Sequence, residues 1–269
     1  MKPNTKRLKT RLAVRHQRAI RNAIRESVNV QDIVEAWFRN YPNGEGSVTP
    51  DQARDWARAH VIVNTRPMRN ALTGVYADSV ILGTDLSLYQ IARKARVRKV
   101  APTKDELLRS LRMNWSNWRP GNRAAALRLR PTSLLYDLLN RGNVMSDEIT
   151  MTTVKRIGTI LAQTLAEGVT PRRAAILIDE MIDDPVRSLM IAQTETSYAV
   201  VEASMDLYRE SGVEMVEYLV ADPCDACAEN EAASPLQLGQ EFPNGNPPVH
   251  PNCMCDIAPY VVDTQFINE

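Results

Sequence analysis

Two short cysteine clusters late in the chain limit its possible folds more than any other feature. Cys224 and Cys227 stand in Asp222-Pro223-Cys224-Asp225-Ala226-Cys227, and Cys253 and Cys255 stand in His250-Pro251-Asn252-Cys253-Met254-Cys255. They are the only 4 cysteines among 269 residues. The 25 residues between Cys227 and Cys253 include the loop-forming run Phe242-Pro243-Asn244-Gly245-Asn246-Pro247-Pro248. A Cys-x-x-Cys turn presents two thiolates at the edge spacing of a tetrahedral metal shell, and a second knuckle across a loop can complete it. Cys224, Cys227 and Cys253 are the first three candidate ligands, with His250 and Cys255 competing for the fourth place. The stretch 222–262 is too rich in loop residues to bury much apolar area, so a structural Zn²⁺ would supply cohesion that packing lacks. The same spacing also admits a pair of disulfides, or reduced thiols in a tight turn. Redox catalysis at Cys224 and Cys227 would call for a thioredoxin-like βαβ setting, and the preceding element is a lone strand after helices.

The pattern upstream is read from caps and periodicity. Residues Val30 to Tyr41 form a short helix through Ile33, Val34, Trp37 and Phe38, followed by a breaker at Pro42-Asn43-Gly44-Glu45-Gly46. Thr49-Pro50 and Thr170-Pro171 each pair an N-cap with proline at the first helical position. Met68, Leu72, Val75, Ser79, Leu82, Leu86 and Tyr89 recur at spacings of 4 and 3, the stripe of a long bundled helix. Arg141-Gly142-Asn143 predicts a boundary, with Ser146 capping a new helix whose apolar face is Val154, Ile157, Leu161 and Leu165 and whose end is Gly168. A third helix opens at Asp184-Pro185 and stops at Gly212. Val213 to Val220 and Ile257 to Val262 are candidate strands. The expected fold class is α+β and mainly α: a helical N-terminal region, then a small α+β C-terminal domain with a Cys/His-stapled loop and few short strands. The expected divisions are 1–145, 146–262 and a tail, 263–269.

The net charge of +1 hides a split, because residues 1–146 sum to +16 and the remainder to −15. A basic half suits nucleic-acid phosphate or an acidic protein surface, or the two halves attract each other within one fold. Lys6, Arg7, Lys9, Arg11, Arg15 and Arg18 form a basic helical arm, and Arg96, Arg98 and Lys99 belong to a second basic stretch that also holds Trp115 and Trp118. Arginine with tryptophan fits a nucleic-acid groove, a protein interface, or simply a core in which both rings are buried. No apolar run nears the roughly 18–20 residues that span a bilayer, and no signal-peptide core follows the cationic start, so synthesis in a cytoplasm is expected and no membrane partner is.

Three pieces in order resemble the Mu-F-like family of phage head-morphogenesis proteins. They are Ile191-Ala192-Gln193-Thr194-Glu195-Thr196, the strand leading into Asp222-Pro223-Cys224-Asp225-Ala226-Cys227, and His250-Pro251-Asn252-Cys253-Met254-Cys255. The similarity covers about residues 146–262, with Gln193 and Met254 where the family usually has arginine. The resemblance implies a minor capsid protein inside the head of a tailed bacteriophage, in the host cytoplasm during assembly and in the virion afterwards. Its implied partners are the portal protein, the major capsid protein or scaffold, and packaged double-stranded DNA bound without sequence preference. Its implied work is head assembly, DNA packaging or delivery. No catalytic role is expected, since Glu195 has no paired base or phosphate loop, and His16, His60 and His250 have no nucleophile and acid to complete a triad. The competing expectation is a zinc-dependent DNA-binding protein, which would bind duplex sequence-specifically.

Overall fold

The structure is a computed structural model that describes residues 3–42, 48–94, 103–122, 127–128, 130–221 and 223–260. It is mainly helical with a small antiparallel sheet, as the sequence predicts. The helices are α1 (Thr5–Glu26), α2 (Val30–Asn40), α3 (Pro50–His60), α4 (Arg66–Lys94), α5 (Lys104–Arg112), α6 (Thr132–Ala166), α7 (Pro171–Ile182), α8 (Pro185–Glu210) and α9 (Asp225–Ala232), with a 3₁₀ turn at Trp115–Asn117. The strands are β1 (Met215–Leu219), β2 (Leu236–Gln237) and β3 (Asp256–Tyr260).

The helix starts follow from their caps. The Thr49 hydroxyl accepts from the Gln52 N–H at 3.2 Å while the Gln52 side chain accepts from the Thr49 N–H at 2.9 Å, a complete capping box with Pro50 behind it. Thr170 caps α7 through the Arg173 N–H. Two ends are equally legible. Gly168 and Gly212 adopt φ of 60° and 68°, and the next residue donates back five places, Val169 to Thr164 at 2.8 Å and Val213 to Tyr208 at 3.0 Å.

One boundary fails. Arg141-Gly142-Asn143 does not interrupt α6, which runs unbroken for 35 residues, and Ser146 bonds back to the Asn143 carbonyl at 2.7 Å instead of capping a new helix. A glycine costs a helix only about 1 kcal/mol relative to alanine. Burial of Leu134 and Leu138 before it and of Ile149, Val154 and Ile157 after it outweighs that cost. A division at 145/146 therefore falls inside one helix. The breaker at 43–46 and the tail at 263–269 lie outside the described residues.

The chain instead forms two interleaved compact units, each drawing on both sides of residue 145. One comprises Met1–Arg15, Val75–Leu138 and Met190–Glu269; the other comprises His16–Gly74 and Leu139–Leu189. In the second unit Trp37 meets Trp56 edge-on at 4.9 Å, and Trp56 stacks on His60 at 4.8 Å. Arg187 is buried there. Its guanidinium donates to Thr153 Oγ1 and to the Ile149 carbonyl, both at 3.0 Å, and desolvation lowers its pKa to about 10.

The first unit holds the sheet, in strand order β2-β1-β3, with β1 antiparallel to both neighbours and Glu217 opposite Ala258. Its core joins Leu88 and Ile91 of α4 and Val201, Met205 and Tyr208 of α8 to Val216, Tyr218 and Ile257 of the sheet, and Cys227, Cys253 and Cys255 are members of that cluster. A second cluster joins Leu8 and Leu12 of α1 to Leu82, Leu86 and Tyr89 of α4, with Trp115 and Trp118. Both tryptophans thus fill a core. Trp115 lies edge-on to Tyr89 at 5.5 Å, and the Trp118 indole donates to Asp85 Oδ2 at 2.9 Å. The two α-helices α4 and α8 touch at backbone level: a Cβ on Gly83 would stand 2.5 Å from the Val200 carbonyl oxygen. Among the described residues, no helix is long and apolar enough to cross a membrane.

Candidate metal centre

Both cysteine knuckles adjoin strand ends of the sheet, one after β1 and one before β3. After β1 the chain reaches Cys224, the residue before α9, and Cys227 lies one turn inside that helix. Cys255 immediately precedes β3, whose pairing with β1 brings Asp256 opposite Leu219. Strand pairing therefore carries the second knuckle back beside the first. Between them, the buried Asn230 side chain donates to the Gly245 carbonyl and accepts from the Asn244 N–H, both at 2.9 Å, fixing the Pro/Gly-rich loop to α9. Phe242 packs edge-on against Tyr218 at 5.1 Å.

The His250 turn is closed by the Cys253 N–H donating to the His250 carbonyl at 3.1 Å, with Asn252 in the left-handed region at φ 64°. Asparagine is among the few residues that occupy that region at low cost. The Asn252 N–H then donates to Thr194 Oγ1 on α8 at 2.9 Å. This bond ties the Ile191–Thr196 segment to the His250–Cys255 segment. Next along α8, the buried Glu195 carboxylate accepts from the Tyr76 hydroxyl at 2.7 Å.

The Cys227 sulfur stands 3.6 Å from His250 Nε2 and 3.9 Å from the Cys253 sulfur. A tetrahedral zinc with bonds of about 2.3 Å to sulfur and about 2.0 Å to nitrogen has S···S edges of roughly 3.8 Å and S···N edges of roughly 3.5 Å. The observed separations are those edges. All five candidates fall into two three-ligand groups, Cys224/Cys227/His250 and Cys227/Cys253/Cys255, whose ligand atoms lie within 4.8 Å of one another in each group. Cys227 belongs to both. These side chains lie close enough to hold a metal ion. His250 Nδ1 lies 2.9 Å from the Pro251 carbonyl, which leaves Nε2 facing the Cys227 sulfur.

The thiols are not equivalent. Cys224 is exposed, and the other three are buried. Cys255 donates to Cys253, which lowers the Cys253 pKa and raises that of Cys255. Burial raises Cys227, whereas the Cys227 backbone N–H lowers Cys224. The bond to Pro251 raises His250. Burial also raises Tyr218, whose hydroxyl lies 3.6 Å from the Cys227 sulfur and caps the site from β1.

The basic residues separate into classes. Lys6, Arg7, Arg15 and Arg18 are exposed on α1. Arg11 is half-buried and donates to the Ser116 and Trp118 carbonyls at 2.7 and 3.3 Å. Lys9, expected on a DNA- or portal-facing surface, is fully buried and belongs to no such surface. The cause is its helical phase, since it lies between Leu8 and Leu12 on the packed side of α1. Arg96, Arg98 and Lys99 lie outside the described residues. Part of the charge split is answered internally, by ion pairs Lys9–Asp256, Arg21–Asp183, Arg25–Asp183 and Arg130–Glu210 at 3.3 to 4.0 Å.

Sequence reasoning missed α9, β2, and the roles of Tyr218, Asn230 and Lys9. The acidic first turn Asp225 after Cys224 was a signal for α9; nothing in the sequence marks Tyr218, a lone tyrosine on the strand beside β3, as a lid. No family model, curated protein or solved structure matches this chain.

Proposed function

We propose that this chain is a minor internal head protein of a tailed phage, of the Mu-F-like kind, non-enzymatic and carrying a structural Zn²⁺ at the cysteine/histidine centre. The observation that carries the reading is the junction of motifs: the Thr194–Asn252 hydrogen bond joins the first resembling segment to the third, and Cys227 joins the second to the third. Three stretches far apart in sequence thus serve one local structure, the behaviour of a domain signature rather than of chance matches. In this reading the exposed Lys6, Arg7, Arg15 and Arg18 face portal protein, shell or packaged DNA. The metal is zinc because the donors are thiolate sulfur and imidazole at tetrahedral spacing.

The test is co-purification. The chain should be found with portal protein and in heads or procapsids, and absence from all of these rejects the assignment. Elemental analysis of protein prepared without added metal should give about one zinc per chain. A value near zero, with folding intact in chelator, rejects the metal. A free, zinc-dependent DNA-binding regulator is less well supported, because Lys9, Trp115 and Trp118 are buried. Sequence-specific duplex binding would revive it.

A further inference from the structure

A lysine with no exposed surface needs a reason. Burying an ammonium costs several kcal/mol unless its three donors are met. Lys9 Nζ donates to the Cys255 carbonyl at 2.9 Å and to Ser197 Oγ at 3.2 Å, and it forms an ion pair with Asp256 Oδ1 at 3.3 Å. Two of these belong to the second knuckle and the first residue of β3, 246 residues away from Lys9 in sequence at Cys255. The third belongs to α8, three residues after Thr194. One side chain on the second turn of α1 thus holds the backbone of a candidate ligand and the strand that positions it. Leu8 and Leu12 are buried on either side, so the ammonium cannot swing to solvent without unseating the helix.

We propose that Lys9 is a positioning residue for the metal centre, and that metal loading and the seating of the first turns of α1 are coupled. The inference rests on the metal reading given above. Bonded to the Cys255 carbonyl and paired with Asp256 at the start of β3, Lys9 Nζ fixes the backbone that carries the Cys255 side chain. Coupling of two equilibria is reciprocal. Whatever factor Lys9 adds to metal affinity, metal adds to the docking of residues 8–12. The exposed Lys6 and Arg7, three and two residues before Lys9, are then held more firmly when the centre is filled.

The experiment uses the full chain. Co²⁺ binding is followed by its thiolate charge-transfer and d–d bands, and Zn²⁺ affinity by competition with a chromophoric chelator. Lys9→Met, which keeps the stem and removes the charge, should weaken binding about 10- to 100-fold, the usual effect of losing an outer partner of a ligand. Lys155→Met removes an exposed lysine and should leave affinity unchanged. In the wild-type chain, which needs no variant to fold, removing metal should speed amide exchange of residues 8–12 by a comparable factor. Metal binding by wild type with unchanged exchange at 8–12, or unchanged affinity in a folded Lys9→Met, overturns the coupling alone. Failure of the wild type to bind either ion overturns the metal reading, and the coupling with it.

Discussion

Replacing each of three helical glycines by alanine makes the same chemical change in three surroundings, and the structure assigns them opposite signs. In a helix interior the exchange itself favours folding by about 0.8–1 kcal/mol. At Gly74 the new methyl would meet only the His16 ring, at 3.8 and 3.9 Å, which is ordinary contact. Gly74→Ala should therefore raise stability by close to the full propensity gain. At Gly83 the methyl would stand 2.5 Å from the Val200 carbonyl oxygen, 2.9 Å from the Ala203 Cβ and 3.1 Å from the Val200 Cα. Contacts between such atoms settle near 3.5–4.0 Å, so the neighbour must retreat by about 1 Å. That neighbour is the backbone of α8, which has no rotamer to change. Overpacking of this kind costs about 1–3 kcal/mol and often more against backbone. After the propensity gain, Gly83→Ala should destabilise by up to about 2 kcal/mol. Gly158→Ala should do the same in the second unit, since its methyl would lie 2.7 Å from the Arg54 Cα and 2.9 Å from the Ala53 carbonyl oxygen. Urea unfolding followed by circular dichroism reads the differences, and at this size each kcal/mol moves a thermal midpoint by about 2–4 °C. Amide exchange then localises them, to α8 for Gly83 and to α3 for Gly158. Gly83→Ala as stable as Gly74→Ala would mean that α4 and α8 do not approach through bare backbone, and the packing argument would fall.

At the turn before the second knuckle, Asn252→Gly should be nearly neutral and Asn252→Val should cost about 1–2 kcal/mol, because φ is 64° there; equal melting temperatures for the two would refute the left-handed assignment. Cys255→Ser decides between Cys255 and His250 for the fourth ligand: loss of a thiolate-to-Co²⁺ band assigns the place to Cys255, and an unchanged band rejects Cys255 and leaves it to His250. Two carboxyls should titrate in opposite directions. Burial raises Asp85, so the folded chain keeps that proton to higher pH than the unfolded chain; its contribution favours folding below the unfolded value of 3.8 and is lost as pH rises through the folded one. The Thr103 backbone N–H lowers Glu106, so its contribution is complete above 4.5 and is lost as pH falls through the folded value. Carboxyl carbon shifts followed by NMR should place the Asp85 midpoint above 3.8 and the Glu106 midpoint below 4.5; the reverse order would contradict both environments.

What the sequence conveyed well was local. Thr49, Thr170, Pro171, Gly168 and Gly212 act on backbone groups within a few residues, so their effects are independent of the rest of the chain. The stripe from Met68 to Tyr89 was equally readable, because all seven residues are buried along one helix. The cysteine and histidine pieces were identifiable from spacing, and their convergence follows from β1–β3 pairing. Ser146 and Gly142 misled because tertiary packing on both sides of α6 outweighs a weak local break. Lys9 misled for a different reason: charge predicts exposure on average, and its acceptors Ser197, Cys255 and Asp256 come together only in the completed unit.

The interleaving of the two units has a consequence for how the chain must be made. The unit formed by His16–Gly74 and Leu139–Leu189 has all its residues once position 189 has left the ribosome, but the other still lacks most of α8, the whole sheet and both knuckles. At roughly 5–20 residues per second, the stretch from there to Tyr260 takes on the order of four to fourteen seconds to synthesise. Through that interval Leu88 and Ile91 wait without Val216, Ile257 and Cys255 to cover them. The nascent chain is therefore most in need of a chaperone during its last quarter, and the arrival of Cys253 and Cys255 is the event that ends that exposure.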